Sequence, residues 1–198
     1  MYSLKEGAFL VKLARKAVEN FFRTKKYLEL PKNLPKKLLE PRGVFVSIKM
    51  DKELRGCIGF PLPIKPLALA TIKSAISAAF EDPRFLPLKK EELDKIIFEV
   101  SILTEPKLIE VKEPKEYVKK IKIGKDGIIV EKGFSAGLLL PQVAIEENWD
   151  ARKFLEHACL KAGLNKNDWQ NKETKIFSFQ AEIFREEKPK GKVIRIEF

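Results

Sequence analysis

The sequence is poor in the residues that build disulfide frameworks and zinc sites. Its 198 residues include two cysteines, Cys57 and Cys159, and one histidine, His157. Two cysteines in a chain of this length exclude a disulfide scaffold. His157 and Cys159 are a poor metal pair, because residues two apart diverge on a helix. No glycine pattern of a phosphate loop or a dinucleotide fold is present either. We therefore expect no metal and no cofactor.

Long apolar segments are also missing. No run approaches the roughly 18 residues that a membrane-spanning helix needs. Residues 1–6, Met-Tyr-Ser-Leu-Lys-Glu, lack the apolar core of a signal peptide. We therefore expect a cytoplasmic protein with reduced cysteines and no membrane contact.

Charge is abundant, and positive charge dominates. Charged residues make up 34% of the chain, and the formal net charge is +11. A basic protein often meets nucleic acid or another anionic partner. Lysines scattered among glutamates are also typical of heat-adapted surfaces, and we favour that interpretation. With 44% hydrophobic residues, the chain is long enough for a single domain spanning 1–198.

Hydrophobic periodicity predicts an α+β fold. Helices are expected after the Ser3–Glu6 capping box, over 64–80, and from Asp150 to Gly163. Because strands and helices do not alternate strictly and several strands form hairpins, a mixed, largely antiparallel sheet is expected. The predicted strands are 44–48, 54–60, 96–103, 127–131, 136–140, 175–184 and 193–196, with Asp51-Lys52 and 132–135 as hairpin tips.

The motif Leu54-Arg55-Gly56-Cys57-Ile58-Gly59 is the chemically suggestive part of the chain. Because side chains of a strand alternate between faces, we expect Leu54, Ile58 and Phe60 on the core face, and Arg55 and Cys57 together on the other. A guanidinium beside a thiol stabilises the thiolate and lowers the thiol pKa. The motif therefore predicts an accessible Arg55–Cys57 pair.

The two glycines of the motif allow two interpretations. Glycine inside a strand marks either a bulge or a place where a ligand approaches closely. In the functional interpretation, Gly56 and Gly59 leave room for a ligand in a groove. In the structural one, the glycines form a bulge, Cys57 packs as a small apolar residue, and Arg55 pairs with a carboxylate. Spacing alone favours the structural interpretation.

A second motif, Gly133-Phe134-Ser135-Ala136-Gly137, matches the nucleophile elbow of serine hydrolases. That elbow needs a strand before it and a helix after it. Here the residues that follow read as a strand ended by Pro141, and His157 is the only histidine that could act as base. We therefore interpret this motif as a hairpin tip.

Three stretches together resemble one family. They are the motif around Cys57, then Ala-Ala-Phe-Glu-Asp-Pro-Arg-Phe at 78–85, and then Leu-Pro-Gln-Val-Ala at 140–144 with Trp149-Asp150. In this order and spacing they resemble the AMMECR family, named for the Alport syndrome, midface hypoplasia and elliptocytosis chromosomal region. The likeness runs from about 44 to 163. Phe60 departs from it, because a small residue, often Thr, is expected there.

The resemblance implies an intracellular α+β protein of two unequal lobes, with the Arg-Gly-Cys-Ile-Gly turn near the groove between them. It also implies genomic company with a radical-SAM protein and a Memo-like protein, which are possible partners, but no established reaction. The residues that would line the groove are Arg55, Gly56, Cys57, Gly59, Arg84 and Gln142.

Three functions remain open. In our leading hypothesis, the groove binds a protein partner or a small ligand without chemistry of its own. In the second, Cys57 is the nucleophile of an enzyme or a thiol-transfer component, with Arg55 as thiolate stabiliser or anion clamp. The third, which we rank last, is a nucleic-acid-linked regulator, motivated by the net charge and expected to bind less well at high salt.

Overall fold

Local sequence signals decide where several elements begin and end. In the computed structural model, which describes residues 1–197, the Ser3–Glu6 capping box starts the first helix. Asp51 and Lys52 form a hairpin tip with φ angles of 51° and 72°, as a two-residue turn of this kind requires. The Asp150 side chain accepts a hydrogen bond from the backbone N–H of Lys153 and caps the last long helix.

The described residues form six α-helices and eight strands. The helices are α1 (Leu4–Thr24), α2 (Lys36–Leu39), α3 (Leu67–Phe80), α4 (Tyr117–Lys120), α5 (Pro141–Glu146) and α6 (Ala151–Lys161). The strands are β1 (Gly43–Met50), β2 (Glu53–Phe60), β3 (Ile96–Leu103), β4 (Lys107–Leu108), β5 (Asp126–Lys132), β6 (Ser135–Leu139), β7 (Lys175–Glu186) and β8 (Val193–Ile196). Helices combined with antiparallel strand pairing confirm the predicted α+β class. Within residues 1–197, no helix has the length and apolar character needed to cross a membrane.

The first of two compact units comprises residues 1–103 and 182–197. Its strands run in the order β2-β1-β3, followed by the end of β7, which pairs with β8. Helices α1 and α3 pack on one face of this sheet. That face contributes Val44, Val46 and Ile48 of β1 to an apolar core, and each of these side chains is fully buried.

The second unit comprises residues 104–181. Strand β5 pairs with β6 on one side and with the beginning of β7 on the other, and β4 also pairs with β7. Helix α6 packs against β5 and β6. A separate apolar core forms around the fully buried Phe154, Leu155 and Ile176. The fold therefore contains two cores, each with its own sheet and helices.

Most element ends differ from the predicted ones by one or two residues, and two differences are larger. Helix α3 starts at Leu67 rather than at Ile64, because Pro66 takes the N-cap position, and Ile64 is 63% exposed instead of lying in the core. The segment from Pro141 forms the short helix α5, which the sequence did not indicate. Proline suits the first helical position because its φ is fixed there and its missing N–H has no partner to lose.

Candidate functional site

Cys57 lies on the outermost strand of the first unit. Strand β2 ends the order β2-β1-β3, so one edge of β2 has no strand partner among the described residues. Cys57 pairs in register with Ser47 of β1 and is half-buried. Ser47 belongs to the sheet face opposite the helices. The prediction that Cys57 faces away from the apolar core is therefore confirmed.

Asp82 and Arg84 occupy the open edge of β2 and bind the backbone of Cys57. The Cys57 N–H donates to Asp82 Oδ2 at 2.8 Å, and Arg84 Nη2 donates to the Cys57 carbonyl at 3.2 Å. The guanidinium also donates to the Asp82 carboxylate through Nε at 2.9 Å and Nη2 at 2.7 Å. The pair thus takes the place of a neighbouring strand at this one residue.

The two members of the Asp82–Arg84 ion pair differ in their exposure to solvent. The Asp82 side chain is 2% exposed, whereas that of Arg84 is 46% exposed. Burial acts to raise the pKa of Asp82, but hydrogen bonds from Arg84 and from the Cys57 N–H outweigh it, so the pKa is lowered and the carboxylate stays ionised. Hydrogen bonding to Asp82 raises the pKa of Arg84, burial opposes this, and the negative charges of Asp82 and of an ionised Cys57 raise it further. The guanidinium therefore lies against the backbone of the residue that carries the thiol.

The thiol has a hydroxyl neighbour across the hairpin. Ser47 Oγ lies 3.2 Å from Cys57 Sγ in hydrogen-bonding geometry. Further along the same sheet face, Glu99 pairs in register with Ser47 from β3 and forms ion pairs with Lys49 and Arg185. Polar side chains thus extend from Cys57 across the sheet face that does not contact the helices.

Arg55 binds elsewhere, which corrects its predicted role beside the thiol. Its guanidinium donates to Glu92 through Nε at 2.7 Å and Nη2 at 3.1 Å, and to the backbone carbonyls of Leu86 and Pro87. Hydrogen bonding from Arg55 lowers the pKa of Glu92. The structural interpretation, in which Arg55 pairs with a carboxylate, is confirmed, and the guanidinium near Cys57 belongs to Arg84 instead.

A β-bulge at Arg55 explains this arrangement. The pairing passes from Ile48↔Gly56 to Lys49↔Leu54, so Arg55 is an extra residue on β2. Leu54 therefore lies on the face of Lys49 and is 39% exposed, and its predicted core position is wrong. Beyond the bulge, alternation holds and Ile58 packs against the core as predicted.

Both glycines of the motif are packed against the protein itself. A Cβ at Gly56 would lie 2.1 Å from the carbonyl oxygen of Ala78 on α3, and a Cβ at Gly59 would lie 2.5 Å from the ring of Phe45. Helix α3 and Phe45 therefore fill the spaces that the functional interpretation assigned to a ligand. Glycine at these positions permits close packing.

The remaining predicted site residue, Gln142, lies on α5 in the second unit and is 3% exposed. The first unit therefore brings together Cys57 and Arg84 of the predicted residues, and adds Ser47 and Asp82. Asp82 belongs to a stretch that carries the family resemblance. Nothing in the sequence, however, indicated that its carboxylate would accept a hydrogen bond from the Cys57 N–H. Among residues 1–197, no three His, Cys, Asp or Glu side chains come together as a metal site would need.

Known proteins resemble the chain over nearly its whole length. The AMMECR1 family model matches residues 11–184. The chain belongs to the AMMECR1 family. A relative from Pyrococcus furiosus is 54% identical in an alignment of 202 positions that covers 98% of this chain and 96% of the relative. A relative from Methanopyrus kandleri is 54% identical in an alignment of 194 positions that covers 96% of this chain and 94% of the relative.

A solved structure confirms both the fold and the family. The crystal structure of an uncharacterized protein from Pyrococcus horikoshii matches with a TM-score of 0.94 and 51% sequence identity, covering 97% of each chain. In this chain, the fold places the Arg-Gly-Cys-Ile-Gly motif on the edge strand β2, with the loop after α3 bound to it.

Proposed function

We propose that the first unit binds a small molecule carrying an anionic group, with Arg84 contacting the anion and Cys57 Sγ lying beside it. The exposure of the Asp82–Arg84 pair carries this proposal. The carboxylate is buried and the guanidinium half-exposed, so an approaching ligand meets the positive partner first. Because Arg84 is already held by Asp82 and the Cys57 carbonyl, little side-chain entropy is lost on binding.

The site is tested with two alkylating agents that differ in charge. Iodoacetate is anionic and iodoacetamide is neutral, and both alkylate thiolates. If Arg84 recognises anions beside the thiol, Arg84→Gln should lower the ratio of the iodoacetate to the iodoacetamide rate at Cys57 by roughly three- to tenfold. Arg84→Lys keeps the charge and should retain most of the ratio.

A matched control variant exists in the same unit. Arg42 pairs with Glu40 two residues away, and its side chain is also 46% exposed, but it makes no bond to Cys57. Arg42→Gln therefore removes one positive charge without touching the site and should leave the ratio unchanged. The proposal fails if Arg84→Gln and Arg42→Gln give the same ratio as the unaltered protein.

A second candidate function is Cys57-dependent chemistry, as an enzyme or a thiol-transfer component. The specific observation in its favour is the combination of the Ser47 hydroxyl at 3.2 Å from Sγ with the nearby Arg84 charge. In an acyl transfer, the Cys57 thiolate would attack a thioester carbonyl, form a new C–S bond and release the original thiol as the leaving thiolate. Incubation with an acetyl thioester and mass spectrometry of the Cys57 peptide tests this. No acetyl adduct on Cys57 under conditions that acetylate a free thiol peptide counts against it.

Binding of a protein partner remains a third proposal, supported only by the resemblance that suggested radical-SAM and Memo-like companions. Bulky substitutions at Gly56 or Gly59 are poor probes of such an interface, because both positions are packed inside the unit. Arg84→Glu, which reverses an exposed charge, is the more informative variant for co-purification with a candidate partner.

A further inference from the structure

We propose that Ser47 is a positioning residue of the Cys57 site. Its hydroxyl donates a hydrogen bond to Sγ, which favours the thiolate and fixes the orientation of the Cys57 side chain. This inference rests on the proposed function at Cys57. Ser47 is 4% exposed, and its Oγ lies 3.2 Å from Sγ. No role for Ser47 follows from the family motif, because the residue lies on β1.

The direction of this hydrogen bond depends on the ionisation of Cys57. A serine hydroxyl can donate or accept, whereas a thiolate can only accept. A donor that bonds more strongly to the charged form of a group stabilises that form. The Ser47 hydroxyl therefore favours the thiolate over the thiol, and a buried position shields the bond from competing water.

The surroundings of Ser47 explain why its hydroxyl serves Cys57. Glu99 pairs in register with Ser47 from β3, and a carboxylate is ordinarily a better acceptor than sulfur. Here Glu99 Oε2 lies 3.3 Å from Arg185 Nη1 and 4.0 Å from Lys49 Nζ. Within residues 1–197, the hydrogen bond of the Ser47 hydroxyl goes to Sγ and not to Glu99. The two cations hold the carboxylate, and the hydroxyl remains directed at the thiol.

The site then combines two different supports for negative charge on sulfur. Ser47 acts on Sγ directly from β1, while Arg84 acts through its charge from the edge of β2 and also binds the Cys57 carbonyl. Loss of Ser47 should change the ionisation of the thiol and leave the preference for anionic reagents in place. Loss of Arg84 should reduce that preference.

The test is the pH profile of Cys57 alkylation by iodoacetamide, read by peptide mass spectrometry so that Cys57 and Cys159 are resolved in the unaltered background. In Ser47→Ala, the midpoint of the rate profile should move to higher pH by about 0.5 to 1 pH unit. Ser47→Thr retains the hydroxyl and should return the midpoint toward that of the unaltered protein. A purely structural role would not produce this dependence on the hydroxyl.

Ser74→Ala is the matched control. Ser74 is a fully buried serine on α3 in the same unit, and its hydroxyl makes no hydrogen bond within residues 1–197. The same chemical change there should leave the midpoint unaltered. An unchanged midpoint in folded Ser47→Ala, checked by circular dichroism, overturns the inference. If folded Ser47→Ala keeps both the midpoint and the iodoacetate preference of the unaltered protein, only the proposed role of Ser47 is wrong. The proposed anion site at Arg84 is not contradicted by that result.

Discussion

At the scale of the residue, Asp82 joins the two groups of the site, Cys57 and Arg84. Its carboxylate accepts hydrogen bonds from the Cys57 N–H, from the Arg84 N–H and from the Arg84 guanidinium. The Asp82 side chain is 2% exposed. If one of these hydrogen bonds is lost, water therefore cannot take the place of the missing partner. The position of the thiol and that of the guanidinium therefore both depend on one buried carboxylate.

Asp82→Asn should destabilise the protein by about 1–3 kcal/mol at pH 7, because the amide accepts with one oxygen only and carries no charge for Arg84. The lowered pKa of Asp82 means that its contribution is complete above the unfolded pKa of about 3.9, and is lost as pH falls through the lower folded value. Urea unfolding at pH 7 and at pH 3 should show the difference between the two proteins narrowing in acid. An equal difference at both values would contradict this account.

The sequence predicted the faces of Cys57 and Ile58 correctly but misplaced Leu54 and Arg55, and the β-bulge at Arg55 is the physical reason. A two-residue hairpin tip at Asp51-Lys52 without irregularity would pair Cys57 with Val46, on the face of the apolar core. The extra residue at Arg55 moves the partner to Ser47. Neither the hydroxyl beside the thiol nor the partner of Arg55 can be derived from strand alternation alone, because both depend on where the bulge lies.

At the scale of the element, contact between β2 and α3 decides how the site is held. Gly56 allows the Ala78 carbonyl to approach β2, and the loop that leaves α3 then reaches the edge of β2. Arg55 holds the far part of this loop through Glu92 and the carbonyls of Leu86 and Pro87. The bounds of β2 and the end of α3 were well predicted, whereas their packing depends on tertiary contacts that local patterns do not encode.

Gly56→Ala should destabilise the protein by roughly 1–3 kcal/mol, because its Cβ would lie 2.1 Å from the Ala78 carbonyl and would force α3 away from β2. Chemical denaturation measures the change. Gly133→Asn is the control, since a Cβ there meets no atom within 4 Å and asparagine tolerates the φ of +60°. Equal costs for the two variants would show that close packing at Gly56 is not the cause.

Arg55→Gln should loosen the loop after α3 while leaving the second unit unchanged. Because hydrogen bonding from Arg55 lowers the pKa of Glu92, that pKa should rise toward its ordinary value in the variant. NMR titration of the Glu92 carboxyl measures this, and amide exchange at Leu88, whose N–H donates to the Ala79 carbonyl, reports the loosening. Unchanged titration of Glu92 would contradict the proposed role of this ion pair.

At the scale of the whole molecule, composition and pattern predicted the fold class but gave no reason for two separate cores. The chain divides between residues 103 and 104 and again between 181 and 182, within the continuous strand β7. Because β7 contributes residues to both units as one continuous strand, its sequence does not indicate where one unit ends and the other begins. The single domain spanning 1–198 stays a prediction.

The net charge of +11 is a property of the whole molecule and still motivates the nucleic-acid hypothesis. If the chain binds nucleic acid, fluorescence anisotropy of a labelled single-stranded oligonucleotide should show binding at 50 mM salt that weakens steeply toward 200 mM. If no binding is seen at either salt concentration, the nucleic-acid hypothesis is wrong. The positive charge would then be explained by a solvated, heat-adapted surface.

The anion site at Arg84 and the role of Ser47 both require that the Cys57 thiol can be reached and reacts in the folded protein. The most direct measurement is the labelling rate of both cysteines by iodoacetamide at pH 7, in folded and in urea-unfolded protein, with each peptide quantified separately. Cys159 is an internal reference, because it is fully buried and burial raises its pKa to about 11. We predict that Cys57 is labelled in the folded protein while Cys159 is labelled only after unfolding. Labelling of Cys57 that also begins only on unfolding would contradict the account and identify it as a packed structural residue.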